Sequence, residues 1–172
     1  MTSKKGMHFE ARVERRLNAN FPEAVILHDV SIPGRKRKPT QIDFVMLDET
    51  GVYVIEAKGY SGSVEGKASD VFWRKTLKDK NGNERRTLVM NPVVQNEGHV
   101  KYVRKLINDP SIPVFSVAVL SEKCDFSKID ASEDEAFMFH LKEFTLRIKE
   151  IMEKTDYCLS DSQIKEILRK IS

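Results

Sequence analysis

Apolar positions along this 172-residue chain recur about every four residues near its ends and every second residue through much of its middle. Over 7–19, Val13 and Leu17 stand one turn apart with Arg12, Arg15 and Arg16 on the other side, which predicts an amphipathic helix. Ala24–Leu27 predicts a short strand. Gln41–Leu47 and Val52–Lys58 predict two more, joined by the turn-rich Asp48-Glu49-Thr50-Gly51. Gly59 to Gly66 reads as a loop with a short strand. Val71–Leu77 and Arg85–Val89 flank Asn81-Gly82, a hairpin signal. Asn91-Pro92 supplies a cap and a first-turn proline for a helix running to about Ile107. Pro113–Leu120 predicts a buried strand and Ala136–His140 another. Two amphipathic helices follow, near Leu141–Lys154 and Ser162–Ile171, the second capped by Ser160 or Asp161. The succession defines a mixed α/β domain, without internal repeats or low-complexity tracts.

Composition narrows the class. Hydrophobic residues make up 40% and charged residues 32%, enough apolar material for one core in a single domain, 1–172. The longest apolar runs, such as Phe44–Leu47, are too short to span a bilayer, so no membrane role is expected. Met1–Gly6 leads into the first helix without an apolar signal core, and Cys124 and Cys158 form no paired motif. A cytoplasmic location is therefore expected. Net charge is only +3, but Lys and Arg concentrate toward the N-terminus and acids toward the C-terminus. That polarity would turn the front of the molecule to a polyanion. Arg35, Lys36, Arg37 and Lys38, between Pro33 and Pro39, are candidates to grip phosphates.

The candidate chemistry lies where polar residues interrupt apolar strands. In Val52–Lys58, Glu56 and Lys58 fall on one face with Val54 and Val52, and Asp43 is the lone acid within Gln41–Leu47. A two- or four-residue hairpin loop pairs Leu47 with Val52 and sets Asp43 opposite Glu56, Cβ atoms about 5 Å apart. A three-residue loop with Gly51 as a bulge would separate them. Like charges so close repel, and a divalent cation reverses the sign. Glu10 falls within the stripe of Val13 and Leu17. Three acids and a lysine suit a site of oxygen ligands, with Mg²⁺ or Mn²⁺ as guest. Gln95 and His99 share a helix face one turn apart. Gln95 either bonds the nucleophile or phosphate, or caps nearby backbone; His99 either touches substrate or sits buried and satisfied. Tyr60 is a candidate to stack on bases, while Trp73 is expected in the core. His8, His28, His140 and the cysteines form no metal-spaced cluster, and no P-loop is present.

With these residues in place, the sequence resembles the NERD (nuclease-related) domain, a branch of the PD-(D/E)XK nuclease superfamily. The matching pieces are Phe9-Glu10-Ala11, Gln41–Val45, Gly51–Gly62, Trp73 and Asn91-Pro92-Val93-Val94-Gln95-Asn96-Glu97-Gly98-His99. They span about 6–106, and a C-terminal strand and helices occupy 113–172. The resemblance implies a restriction-endonuclease-like core, a central mixed β-sheet flanked by helices, here with two C-terminal helices. It implies Mg²⁺-dependent (or Mn²⁺-dependent) hydrolysis of phosphodiester bonds in DNA processing, in a stand-alone form. Carried over by position, Asp43 and Glu56 would be metal ligands and Lys58 the catalytic lysine. Glu10 would be an additional acid, and Gln95 a polar contributor. The carbonyl of Ala57 is a further ligand candidate. Lys58 would orient or deprotonate water, or place positive charge on the transition state. The alternative function is a non-catalytic nucleic-acid-binding or adaptor module that keeps the fold. The C-terminal helices suit a homodimer interface as well as intramolecular packing.

Overall fold

Each apolar stripe finds a sheet face to cover. The computed structural model describes residues 4–32, 40–130 and 137–171. In chain order the elements are α1 (Lys4–Asn20), β1 (Val25–Ile32), β2 (Thr40–Asp48), β3 (Gly51–Lys58), β4 (Gly62–Lys67), β5 (Phe72–Lys78) and β6 (Glu84–Met90). They continue with α2 (Pro92–Ile107), β7 (Val114–Leu120), β8 (Cys124–Asp130), β9 (Phe137–His140), α3 (Phe144–Glu153) and α4 (Asp161–Ile171).

A five-stranded mixed sheet, in order β1-β2-β3-β7-β9, forms the centre. The pairs β1–β2 and β2–β3 are antiparallel, whereas β7 runs parallel to both β3 and β9. Side chains alternate across it. Phe44, Met46, Tyr53 and Ile55 meet Phe9, Val13 and Leu17 of α1 and Phe144 and Ile148 of α3 on one face. Val45, Leu47, Val52 and Val54 meet Val100, Val103 and Ile107 of α2 and Ile167 and Ile171 of α4 on the other. Both faces of β2 and β3 are thus covered, which is why their sequences are almost continuously apolar. The stripes of both C-terminal helices are buried within this chain.

A second, four-stranded sheet, order β6-β5-β4-β8, adds to the expected single central sheet. Its core holds Val64, Trp73, Val93, Leu120 and Cys124. Trp73 is fully buried, as expected, and donates its indole N–H to the Lys67 carbonyl at 2.9 Å. Strand β8 escapes the sequence pattern because its pairing with β4 shifts register after Ser63. Phe126 and Ile129 then both pack on the core although odd spacing separates them. Strand β1 extends past the expected Leu27 to Ile32 because its polar second half still pairs with β2.

Asn91 caps α2, its side-chain oxygen accepting from Val93 N at 2.9 Å. Its Nδ2 donates to the carbonyls of Ala68 and Asp70, both at 2.7 Å, tying α2 to the β4–β5 connection. Before α4, Ser160 and Gln163 form a capping box, with Ser160 N donating to Gln163 Oε1 at 2.9 Å. Among the described residues no helix is long and apolar enough to cross a membrane.

Candidate active site

The hairpin turn decides the register. Asp48 pairs with Gly51 across a two-residue loop, so Leu47 pairs with Val52 and Phe44 with Ile55. Counting one step further puts Asp43 across from Glu56. There the ladder ends, and a side chain takes over: Asp43 Oδ2 accepts the Ala57 N–H at 2.8 Å. Asp43 and Glu56 lie on the face of the sheet that α2 covers, the face of Val45 and Val54.

Glu56 is a fully buried acid. Its Oε1 bonds the Lys58 ammonium, and its Oε2 lies 3.3 Å from His99 Nδ1. Burial opposes the charge on Lys58, but the charges of Glu56 and Asp43 and the hydrogen bond to Glu56 outweigh it and hold its pKa above the ordinary lysine range. Lys58 is therefore a stable cation. Asp43 behaves oppositely: burial first, then the charge of Glu56, push its carboxyl up to about 7 against the pull of Lys58 and the Ala57 N–H.

A pocket of about 510 Å³ opens beside these groups, lined by Glu10, Ser31, Thr40, Gln41, Asp43, Lys58 and Gln95. It lies where β2 begins and β3 ends, so helices on opposite faces of the sheet both reach it. Glu10 does not arrive through the buried stripe, which is Phe9, Val13 and Leu17. It stands half-buried on the stripe's flank. Desolvation, then Asp29, raise its pKa, while His28 and Lys58 lower it. Gln41, Thr40 and Ser31 were absent from the expected site. Gln41 was readable, since it lies two residues from Asp43 on the same strand face, but Ser31 enters only through its pairing with Gln41.

The other expected residues separate into groups. His99 is 3% exposed and sits beside Glu56, in the buried placement that was the second of its two readings: α2 packs it against the sheet. Tyr60 does not line this pocket. Its hydroxyl donates to the Met90 carbonyl at 2.9 Å, and it lines a second depression with His8, Arg12, Ser61 and Lys123. Arg35, Lys36, Arg37 and Lys38 lie outside the described residues. Among the described residues, no three His, Cys, Asp or Glu side chains converge as a ready-made metal cage.

A mixed α/β core with two opposed carboxylates and a paired lysine at one end of its central sheet has the architecture of a nuclease-like domain. The family comparison agrees: the model of the nuclease-related domain, NERD, matches residues 5–121. The chain belongs to the NERD family. It is also similar to a Bacillus anthracis protein described as uncharacterized, 28% identical over 168 residues, covering 97% of this chain and 75% of the relative. No solved structure matches the chain.

Proposed function

We propose that this chain is a Mg²⁺- or Mn²⁺-dependent nuclease that hydrolyses phosphodiester bonds of DNA, with residues 1–172 acting as one domain. The observation that carries the reading is the placement of Asp43 across from the buried Glu56, with Lys58 paired to the same carboxylate. Glu10, Asp43 and Glu56 supply three acids against one lysine, an excess of negative charge that suits a dication. The donors are hard oxygens. Mg²⁺ in particular takes one or two carboxylates and completes its shell with water and substrate phosphate, which fits a site with two close acids and an open pocket rather than a closed cage.

Asp43 and Glu56 would hold the ion, with Glu10 and the Ala57 carbonyl as further oxygen donors. When bound, the ion would polarise a phosphoryl oxygen and lower the pKa of a coordinated water. The chain's own groups do the rest. The Lys58 ammonium, charged at neutral pH, stabilises negative charge developing on the phosphoryl oxygens instead of acting as the base. Gln95 presents an amide to the pocket and hydrogen-bonds water or a phosphate oxygen. Arg35, Lys36, Arg37 and Lys38 draw in the DNA backbone, and Tyr60 offers a ring for a base in the second depression. Free Cys124 and Cys158 suit a reducing compartment, the cytoplasm.

Purified protein incubated with single- and double-stranded DNA and Mg²⁺ or Mn²⁺ should cleave, and Asp43→Ala and Glu56→Ala should not. Cleavage that survives both substitutions removes these acids from the mechanism. DNA binding with neither cleavage nor carboxylate-dependent Mn²⁺ binding would be the behaviour of a non-catalytic module.

A further inference from the structure

Behind the pocket, two buried polar atoms face each other without being satisfied elsewhere. Glu56 Oε2 and His99 Nδ1 are both inaccessible, and neither has an aligned hydrogen-bond partner, yet they stand only 3.3 Å apart. The two residues reach this point from different layers, Glu56 from β3 and His99 from the helix covering it. One turn of α2 is pinned to the same sheet by Asn96, whose Nδ2 donates to Val54 O at 2.8 Å and Ser116 Oγ at 2.9 Å. His99, three residues on, is thereby held against the strand face that carries Glu56.

The two oxygens of Glu56 therefore have unlike neighbours. Oε1 meets Lys58, a flexible side chain that retains 22% exposure at the pocket edge. Oε2 meets an imidazole 4% exposed, on a helix locked to the sheet. We infer that His99 is a positioning residue: its Nδ1–H donates to Glu56 Oε2 and fixes the carboxylate, so that Oε1 is the oxygen presented to the pocket and Lys58 its exchangeable partner. This rests on the nuclease reading for its consequence, since a fixed Glu56 matters most as a ligand. The contact itself does not depend on that reading. A donor at Nδ1 fixes the aim of a carboxylate ligand from behind, a role commonly filled by residues that never touch the ion. It explains why a histidine occupies a buried helix position between Asn96 and Val100, where an apolar residue would pack with no polar atom to satisfy.

The test uses the intact protein. In the metal-free state, ¹⁵N imidazole spectra of wild type should show His99 protonated at Nδ1, and that signal should shift in Glu56→Leu. An Nδ1 without a proton overturns the inference, whatever the protein does with metal. Calorimetric titration with Mn²⁺ should show affinity lower by about 10- to 100-fold in His99→Leu. His99→Asn, whose amide lies near the Nδ1 position, should recover most of it, and His99→Gln, whose amide lies nearer Nε2, should not. The Asn–Gln contrast decides the matter even if His99→Leu fails to fold. Equal Mn²⁺ affinity in folded His99→Gln and wild type overturns the positioning role. If wild type binds no Mn²⁺, the nuclease reading fails, and the imidazole spectrum alone decides whether His99 holds Glu56.

Discussion

The Asp43 carboxylate accepts the backbone N–H of Ala57, at 2.8 Å, where the ladder between their two strands ends. The acid is thus anchored to the main chain between Glu56 and Lys58. Its separation from both is set by strand pairing and not by a free rotamer, so closing the hairpin brings these three side chains together. The same bond spares a main-chain donor the cost of going unpaired.

Asp43→Asn preserves that acceptor while removing a charge. The folded Asp43 carboxyl has its pKa raised to about 7, above its unfolded value. Its stabilising effect is complete below about pH 4, shrinks as pH rises, and is gone above about pH 7. In metal-free protein at about pH 8, Asp43→Asn should therefore be more stable than wild type, by on the order of 2–4 kcal/mol. At about pH 4 the two should be nearly equal. Urea unfolding at both values checks this. Cleavage by the variant should fall to background.

Lys58→Met should lower stability as well as remove the charge, a loss that urea unfolding measures. It leaves Glu56 buried without its cationic partner, a loss of about 2–3 kcal/mol after allowing for the partial exposure of the lysine. Because the folded pKa of Lys58 is raised, the pair's contribution persists through neutral pH and fades only above the ordinary lysine range near about 10.4. A pH–rate profile between about pH 7 and pH 9 should show no rise attributable to lysine deprotonation. Such a rise in wild type, absent in Lys58→Arg, would make Lys58 the base.

Two glycines with similar dihedral angles should respond differently to alanine. Gly62 has φ +81°, and a Cβ there would overlap the Thr76 carbonyl in the neighbouring strand. Gly82, at φ +85° in the hairpin turn, has open space around it. Gly82→Ala should cost only the left-handed backbone, about 1 kcal/mol. Gly62→Ala should cost at least about 2 kcal/mol more and shift the emission of Trp73, whose sheet it would distort. Thermal melts followed by tryptophan fluorescence measure both.

Replacing Arg35, Lys36, Arg37 and Lys38 with glutamine should weaken DNA binding without changing the melting temperature. If the four side chains meet phosphates, the slope of log affinity against log salt should flatten by about 0.9 for each lost duplex contact. An unchanged slope removes these four residues from the interface.

Much of the site was legible because it depends on short-range rules. The residues around Asp48-Glu49-Thr50-Gly51 admit few loop lengths, and the two-residue loop that forms brings Asp43 to Glu56. Asn91-Pro92 announced the start of α2, and the helix ends at the expected Ile107. What stayed hidden depends on packing between distant segments. The proximity of His99 to Glu56 follows from how closely α2 lies on β3, which no spacing rule supplies. Strand β8 is disguised by its shifted register, and the second sheet gains its fourth strand only because β4 finds β8 from much later in the chain. The half-buried approach of Glu10 reflects the placement of α1 on the opposite side of the central sheet, where helical periodicity alone had put it in the buried stripe.

Asn91 links these parts in a way that reaches the chemistry. One side chain both starts the helix that bears Gln95 and His99 and holds the carbonyls of Ala68 and Asp70. The small sheet is thus the mooring of α2, and the β4–β5 connection holds the residue at which that helix begins. A relative that trimmed the β4–β5 connection while keeping every acid would need another anchorage before its glutamine and histidine could stand in the same place.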